Sequence, residues 1–259
     1  MLGSSNLSEI ICRARFQSIR IGVGRRYKQT SKSSKAWLKR QANDPFTRRA
    51  RDEGLPSRSY FKLEHMDQKQ KLLLPGSVVV DLGASPGGWS LYAARKIGGE
   101  GILVSVDLLS LDEQTEKELG VKNPCEFYFY QGDFTTDEVQ NNIINLLRGR
   151  RVDVILSDMA SNFTGDQRTD ALRTLALCED ALSFVCFPYH CDIKSDKKSI
   201  LRNGGTFLCK YFSCGQNHEK DLMDAAKAYF TKVKLLKPPA SRKVSSEKYL
   251  LASGFLGLS

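Results

Sequence analysis

No run of apolar residues in this 259-residue chain approaches the roughly 20 needed to cross a bilayer, so no membrane span is expected. No CxxC pair occurs among the seven cysteines, Cys12, Cys125, Cys178, Cys186, Cys191, Cys209 and Cys214. That absence excludes the common structural zinc frameworks, and an odd, scattered set argues against a disulfide scaffold. Cys186 and Cys191 have His190 between them, but no second ligand pair accompanies them. The expectation is therefore no metal, with reduced thiols in a non-oxidising compartment. No internal repeat is visible.

Acidic residues are nearly missing from the first 43 positions, where ten Lys and Arg stand against Glu9 alone. The other 216 residues hold 29 basic and 28 acidic side chains, so almost all of the net charge of +10 is N-terminal. An RNA-binding surface on the folded part would have to be a local patch. Residues 1–27 contain Arg13, Arg15, Arg20, Arg25 and Arg26, several serines, and Leu7, Ile10, Ile11 and Ala14 on one helical face. This composition predicts a mitochondrial presequence, since a secretory signal would need a long apolar core. A basic RNA-binding arm is the alternative. Residues 28–44 read as a basic tail that includes Trp37, and residues 45–259 as one domain long enough for a sizeable core.

From Pro45 onward, β-branched apolar runs alternate with longer segments. The runs are Val78–Leu82, Ile102–Val106, Phe127–Tyr130, Val152–Leu156, Thr206–Cys209, Val233–Leu236 and Tyr249–Ala252. Gly88–Ile97, Asp137–Leu147 and Ala171–Val185 are long enough to be crossover helices. The rhythm predicts an α/β fold: a Rossmann-like, doubly wound sheet of seven strands, mostly parallel, with an antiparallel pair closing one edge. Phe187–Ser199, with Pro188, Lys194, Lys197 and Lys198, breaks the rhythm and reads as an exposed insertion.

The strongest local pattern is the run from Val78 to Trp89, VVVDLGASPGGW. A buried strand ends in Asp81, and a turn containing Gly83, Pro86, Gly87 and Gly88 then opens directly into a helix. Such turns bring the backbone close to a ligand at a helix N-terminus. A dinucleotide site would show GxGxxG; here the middle glycine is missing and Pro86 stiffens the loop. The departure disfavours an NAD-dependent oxidoreductase and suits S-adenosylmethionine. Two further strand tips carry acids: Asp107, placed for a ribose diol, and Asp133, placed for an adenine amino group. Singly, each could be a helix cap.

The fourth strand runs into Asp158 and the fifth into Lys210, side by side at the rim where ligands bind in such sheets. An apolar strand that ends in Lys needs a charge partner for it. With these residues the chain resembles the FtsJ family of RNA ribose 2′-O-methyltransferases. The likeness runs through SRSYFKL at Ser57–Leu63, DLGASPGGWS at Asp81–Ser90, SDMASN at Ser157–Asn162, Phe207–Lys210 and SRKVSSEKY at Ser241–Tyr249, covering about residues 45–256 in register.

The resemblance implies a Lys–Asp–Lys–Glu tetrad at Lys62, Asp158, Lys210 and Glu247. It also implies an S-adenosylmethionine site that includes Gly83, Pro86, Gly87, Gly88, Trp89, Asp107, Asp133 and Asp158. Lys210 would take the ribose proton, because burial and a second ammonium nearby both favour a neutral amine. The compact chain and the presequence point to a monomer in the mitochondrial matrix. Its partner would be large-subunit rRNA or a ribosomal precursor particle, and its acceptor a uridine. A tRNA enzyme, or an assembly factor that acts mainly by binding, are the alternatives.

Overall fold

The computed structural model describes residues 44–122, 125–161, 164–186, 199–213, 215–242 and 245–257. The segment 1–27, expected as a presequence, the expected tail up to residue 43 and most of the expected 187–199 insertion lie outside the described residues. Asp44, assigned to the tail by sequence, belongs to the folded part. Its carboxylate accepts from the backbone of Phe46 and Thr47 and caps α1 (Pro45–Asp52), where a proline fills the first position. Ser199 is also buried, and its hydroxyl donates to the carbonyl of Val185, so the insertion ends inside the core.

After α1 comes α2 (Ser59–Gln70), then β1 (Val78–Leu82), α3 (Gly88–Ile97), β2 (Ile102–Asp107), α4 (Glu113–Lys117) and β3 (Glu126–Gln131). The second half runs α5 (Asp137–Leu146), β4 (Val152–Ser157), α6 (Gln167–Cys186), β5 (Leu201–Phe212), α7 (Gln216–Lys227), β6 (Phe230–Leu236) and β7 (Glu247–Phe255). The strand order is β3-β2-β1-β4-β5-β7-β6. Strands β1 to β5 pair in parallel, and β7 runs against both neighbours, so the β6–β7 pair closes one edge as expected. The chain order reverses between β1 and β4, which opens a crevice at their carboxyl ends.

Both faces of the sheet are covered, and the strand alternation shows it. Val79, Leu103, Val154 and Leu208 point toward α2 and α3, packing with Phe61, Trp89 and Leu91. Their neighbours Val80, Val104, Ile155 and Phe207 point the other way, packing with Ile143, Phe184 and Leu222. Two apolar faces make each strand read as one continuous apolar run. The helices α1, α2, α4 and α7 were not among those expected from sequence. α1 and α7 show little apolar signal, with one buried residue in α1, and tertiary contacts decide their state.

Candidate active site

The turn after β1 is wedged between neighbouring strand tips. The N–H groups of Gly83 and Ala84 both donate to the carbonyl of Val106, and that of Asp158 donates to Leu82. Gly83 has φ +80°, and a Cβ there would lie 2.7 Å from the backbone nitrogen of Met159. Gly87 has φ +117°, with Thr115 of α4 where a side chain would go; at Gly88 the hydroxyl of Ser59 fills that place. These glycines let the turn nest against β4, α4 and α2 at once. Pro86 lies between them, its carbonyl accepting from Asp112 at 3.0 Å.

Asp107 sits at the tip of β2, with each carboxylate oxygen accepting one backbone N–H, from Ser85 and from Leu109, both at 2.8 Å. The group is thereby fixed while each oxygen keeps a lone pair. Asp133 is exposed and uses Oδ1 for the backbone and hydroxyl of Thr135. Trp89 is buried: its indole N–H donates to the carbonyl of Ser59 and its ring lies 5.6 Å from that of Tyr249. Its indole is spent inside the protein, so a cofactor would meet Trp89 through its main chain.

Asp81, quoted at sequence level only as the strand's end, is fully buried. Ser90 donates to Oδ2 at 2.7 Å and lies 2.9 Å from the Ser105 hydroxyl, while Oδ1 has no partner among the described residues. Burial pushes this carboxyl up to about 7; the Ser90 hydrogen bond opposes the shift, and Asp158 and Asp107 add to it. An unfolded Asp ionises near 3.9, so between roughly pH 4 and 7 the folded state holds the extra proton and stability falls as pH rises. Asp81→Asn should therefore gain stability relative to wild type between about pH 5 and pH 8, read as denaturant midpoints. A difference independent of pH would contradict this assignment.

The four tetrad residues come together as two ion pairs. Lys62 Nζ, on α2, lies 2.7 Å from Glu247 Oε2 at the start of β7. Lys210 Nζ, on β5, lies 3.0 Å from Asp158 Oδ1 and also donates to the Asp158 carbonyl. Both lysines are buried, although an isolated Lys62 would be read as an exposed helical residue. Strand pairing explains the convergence. Lys210 is registered with Tyr249 and Phe212 with Glu247, so Lys210, Tyr249 and Glu247 share one face.

Tyr249 was visible in the family motif without a role. In the structure its hydroxyl donates to Asp158 Oδ1 at 3.0 Å, and Lys62 Nζ lies 5.9 Å from its ring. Burial, followed by the Asp158 and Glu247 carboxylates, pushes the phenol far above its ordinary value and keeps it a donor. Burial alone would raise Asp158, but Lys210, Lys62 and the hydrogen bond from Tyr249 outweigh it and hold the carboxyl below the usual range. Tyr249 could have been suspected from its place two residues beyond Glu247 on a strand, which puts both on one face.

A Gly-rich turn beside strand-tip acids, with a buried Lys–Asp–Lys–Glu cluster at the adjacent rim of a seven-stranded sheet, defines a methyltransferase of the doubly wound class. The FtsJ-like methyltransferase model matches residues 55–255, and the chain belongs to that family. It is 44% identical over 228 residues to the ribosomal RNA large subunit methyltransferase E of Rhodopseudomonas palustris strain BisA53, covering 87% of this chain and 86% of that one. The protein of the same name from Pseudomonas fluorescens is 39% identical, over 88% and 98% of the two chains. Among solved structures, one described as a ribosomal RNA methyltransferase of Plasmodium falciparum aligns with a TM-score of 0.61 and 24% identity. It covers 78% of this chain and 100% of that one and shares the fold.

Among the described residues, no helix is long and apolar enough to cross a membrane.

Proposed function

We propose that the protein transfers a methyl group from S-adenosylmethionine to a ribose 2′-hydroxyl of large-subunit rRNA, at a uridine, in mitochondria. The observation that carries this reading is the paired Lys62–Glu247 and Asp158–Lys210 cluster beside the glycine turn. The named activity of the bacterial relatives supports the acceptor class.

The residues present fit the cofactor. Asp107 and Asp133 keep unspent acceptor valences, and the buried Asp81 Oδ1 has no partner among the described residues. Gly83, Pro86, Gly87, Gly88 and the main chain of Trp89 would form the cradle, with Asp107 on the ribose, Asp133 on the adenine and Asp158 near the reacting end. When bound, the sulfonium supplies an electrophilic methyl group. The chain's own task is then to hold the acceptor hydroxyl in line and manage its proton.

Lys210 suits that task. Its Nζ is held by two contacts to Asp158, at the carboxylate and the carbonyl, so once a proton has left the amine its lone pair is the group free to meet the 2′-hydroxyl proton. With the cofactor bound, the methyl group it supplies would go to the 2′-oxygen while the hydroxyl proton would pass to Lys210. Asp158, held ionised, offsets the charge that arrives on the amine, while Lys62 and Glu247 frame the opposite side.

The reading is tested with purified protein, methyl-labelled S-adenosylmethionine and ribosomal precursor particles. Label should appear in alkali-stable dinucleotides, because a methylated 2′-oxygen cannot cleave its own phosphodiester; label confined to bases would contradict it. The location rests on ten basic residues against one acid in the first 43 positions. A reporter fused to residues 1–43 should enter mitochondria, and a diffuse cytosolic or nuclear signal would count against that part. Such a signal would favour a basic arm and reopen the tRNA alternative.

A further inference from the structure

Glu247 is held from two sides. Its Oε2 takes Lys62, and its Oε1 accepts from the Ser241 hydroxyl at 2.6 Å. Both Ser241 and Glu247 are buried. A carboxylate bonded at one oxygen can pivot about that contact; bonded at both, it is confined to one orientation.

The loop that supplies Ser241 is itself clamped. The backbone N–H of Ser241 donates to the carbonyl of Pro238 at 2.9 Å. The preceding carbonyl, that of Ala240, accepts from the Arg58 guanidinium, which also pairs with Asp44. Asp44 caps α1 with its other oxygen, and Arg242 lies 3.6 Å from the same oxygen that Arg58 uses. The start of α1, the start of α2 and the β6–β7 loop thus meet at Ala240–Arg242. A serine serving only its own turn would spend its hydroxyl on backbone, as Ser245 does on the N–H of Glu247 at 3.2 Å. Ser241 spends its hydroxyl on the carboxylate that pairs with Lys62.

We propose that Ser241 is a positioning residue for methyl transfer: its hydroxyl fixes Glu247 so that Oε2 faces Lys62. Lys62 is then held in place beside Asp158 and Tyr249; Asp158 holds Lys210, and Tyr249 donates to Asp158. The proposal rests on the methyl-transfer reading above, and its test separates the two.

The test is a double-mutant cycle on the full chain with Ser241→Ala, Glu247→Gln and the pair, measured for methyl transfer to rRNA. Ser241→Ala should lower kcat about ten-fold, the size of a hydrogen bond to a charged group. KM for RNA and affinity for S-adenosylmethionine should stay within about two-fold, and the melting temperature within a few degrees. In the Glu247→Gln background, removing Ser241 should cost nothing further, because the serine acts through that carboxylate. Losses that simply add, or a kcat loss that follows falling cofactor affinity and melting temperature, would make Ser241 a structural residue. An active wild type with unchanged kcat in Ser241→Ala overturns this proposal alone. A wild type inactive on every RNA tried overturns the methyl-transfer reading and this proposal together.

Discussion

Lys210→Ala should lower the single-turnover rate of methyl transfer by roughly 10²–10⁴ while leaving S-adenosylmethionine affinity within a few-fold. General-base loss alone is of that order, and the lost hold on the acceptor hydroxyl adds to it. Most of the cofactor cradle, the glycine turn with Asp107 and Asp133, makes no bond to Lys210; Asp158, near the reacting end, does, which is why a change of a few-fold is allowed. The fold will also register the change. Asp158 is left with the Tyr249 hydroxyl and the more distant charge of Lys62. Removing one member of a buried pair typically costs ~3–5 kcal/mol, and partial exposure at this rim puts the expectation toward the low end. Lys210→Met paired with Asp158→Asn, which removes both charges, should recover much of the stability and none of the activity. Near wild-type turnover from Lys210→Ala would remove Lys210 from the chemistry.

The second large effect is expected at Gly83. An alanine there meets two obstacles at once: a φ of +80° and the backbone of Met159 within 2.8 Å of the new Cβ. Left-handed backbone costs a residue with a Cβ ~1–2 kcal/mol, and overpacking adds ~1–3 kcal/mol. The strain cannot be relieved by a rotamer change, because the obstacle includes main chain. If the turn moves away, it takes with it the hydrogen bond from Asp158 to Leu82. Gly83→Ala should therefore lose stability, cofactor binding and turnover together, in contrast to Lys210→Ala. Calorimetry with S-adenosylmethionine and a denaturant melt decide it; tight binding with an unchanged midpoint would show that the turn tolerates a side chain.

How legible this molecule was depended on how locally its features are encoded. The strands β1, β2 and β4 were readable because two apolar faces leave runs rich in Val, Ile and Leu, and β3 because of its aromatic run Phe127–Tyr130. The glycine turn was readable because its conformation demands particular residues at fixed positions. The tetrad was different. Lys62 lies 148 residues before Lys210 in the chain, and only the fold brings α2 against β7, so the family likeness supplied what spacing could not. Tyr249 and Ser241 stood inside a quoted motif, yet their roles depend on which carboxylate oxygen each one reaches. Asp81 looked like a strand end; its isolation beneath the turn follows from Ser90 and Ser105 closing over it. The short helix α1 depends on a cap and a proline more than on an apolar stripe.

The most direct test is a map of ribose methylation across large-subunit rRNA and tRNA from cells lacking the protein, complemented with wild type or Lys210→Ala. The account predicts that one uridine of mitochondrial large-subunit rRNA loses its 2′-O-methyl group, that wild type restores it, and that Lys210→Ala does not. Identical methylation maps with and without the protein would contradict the account.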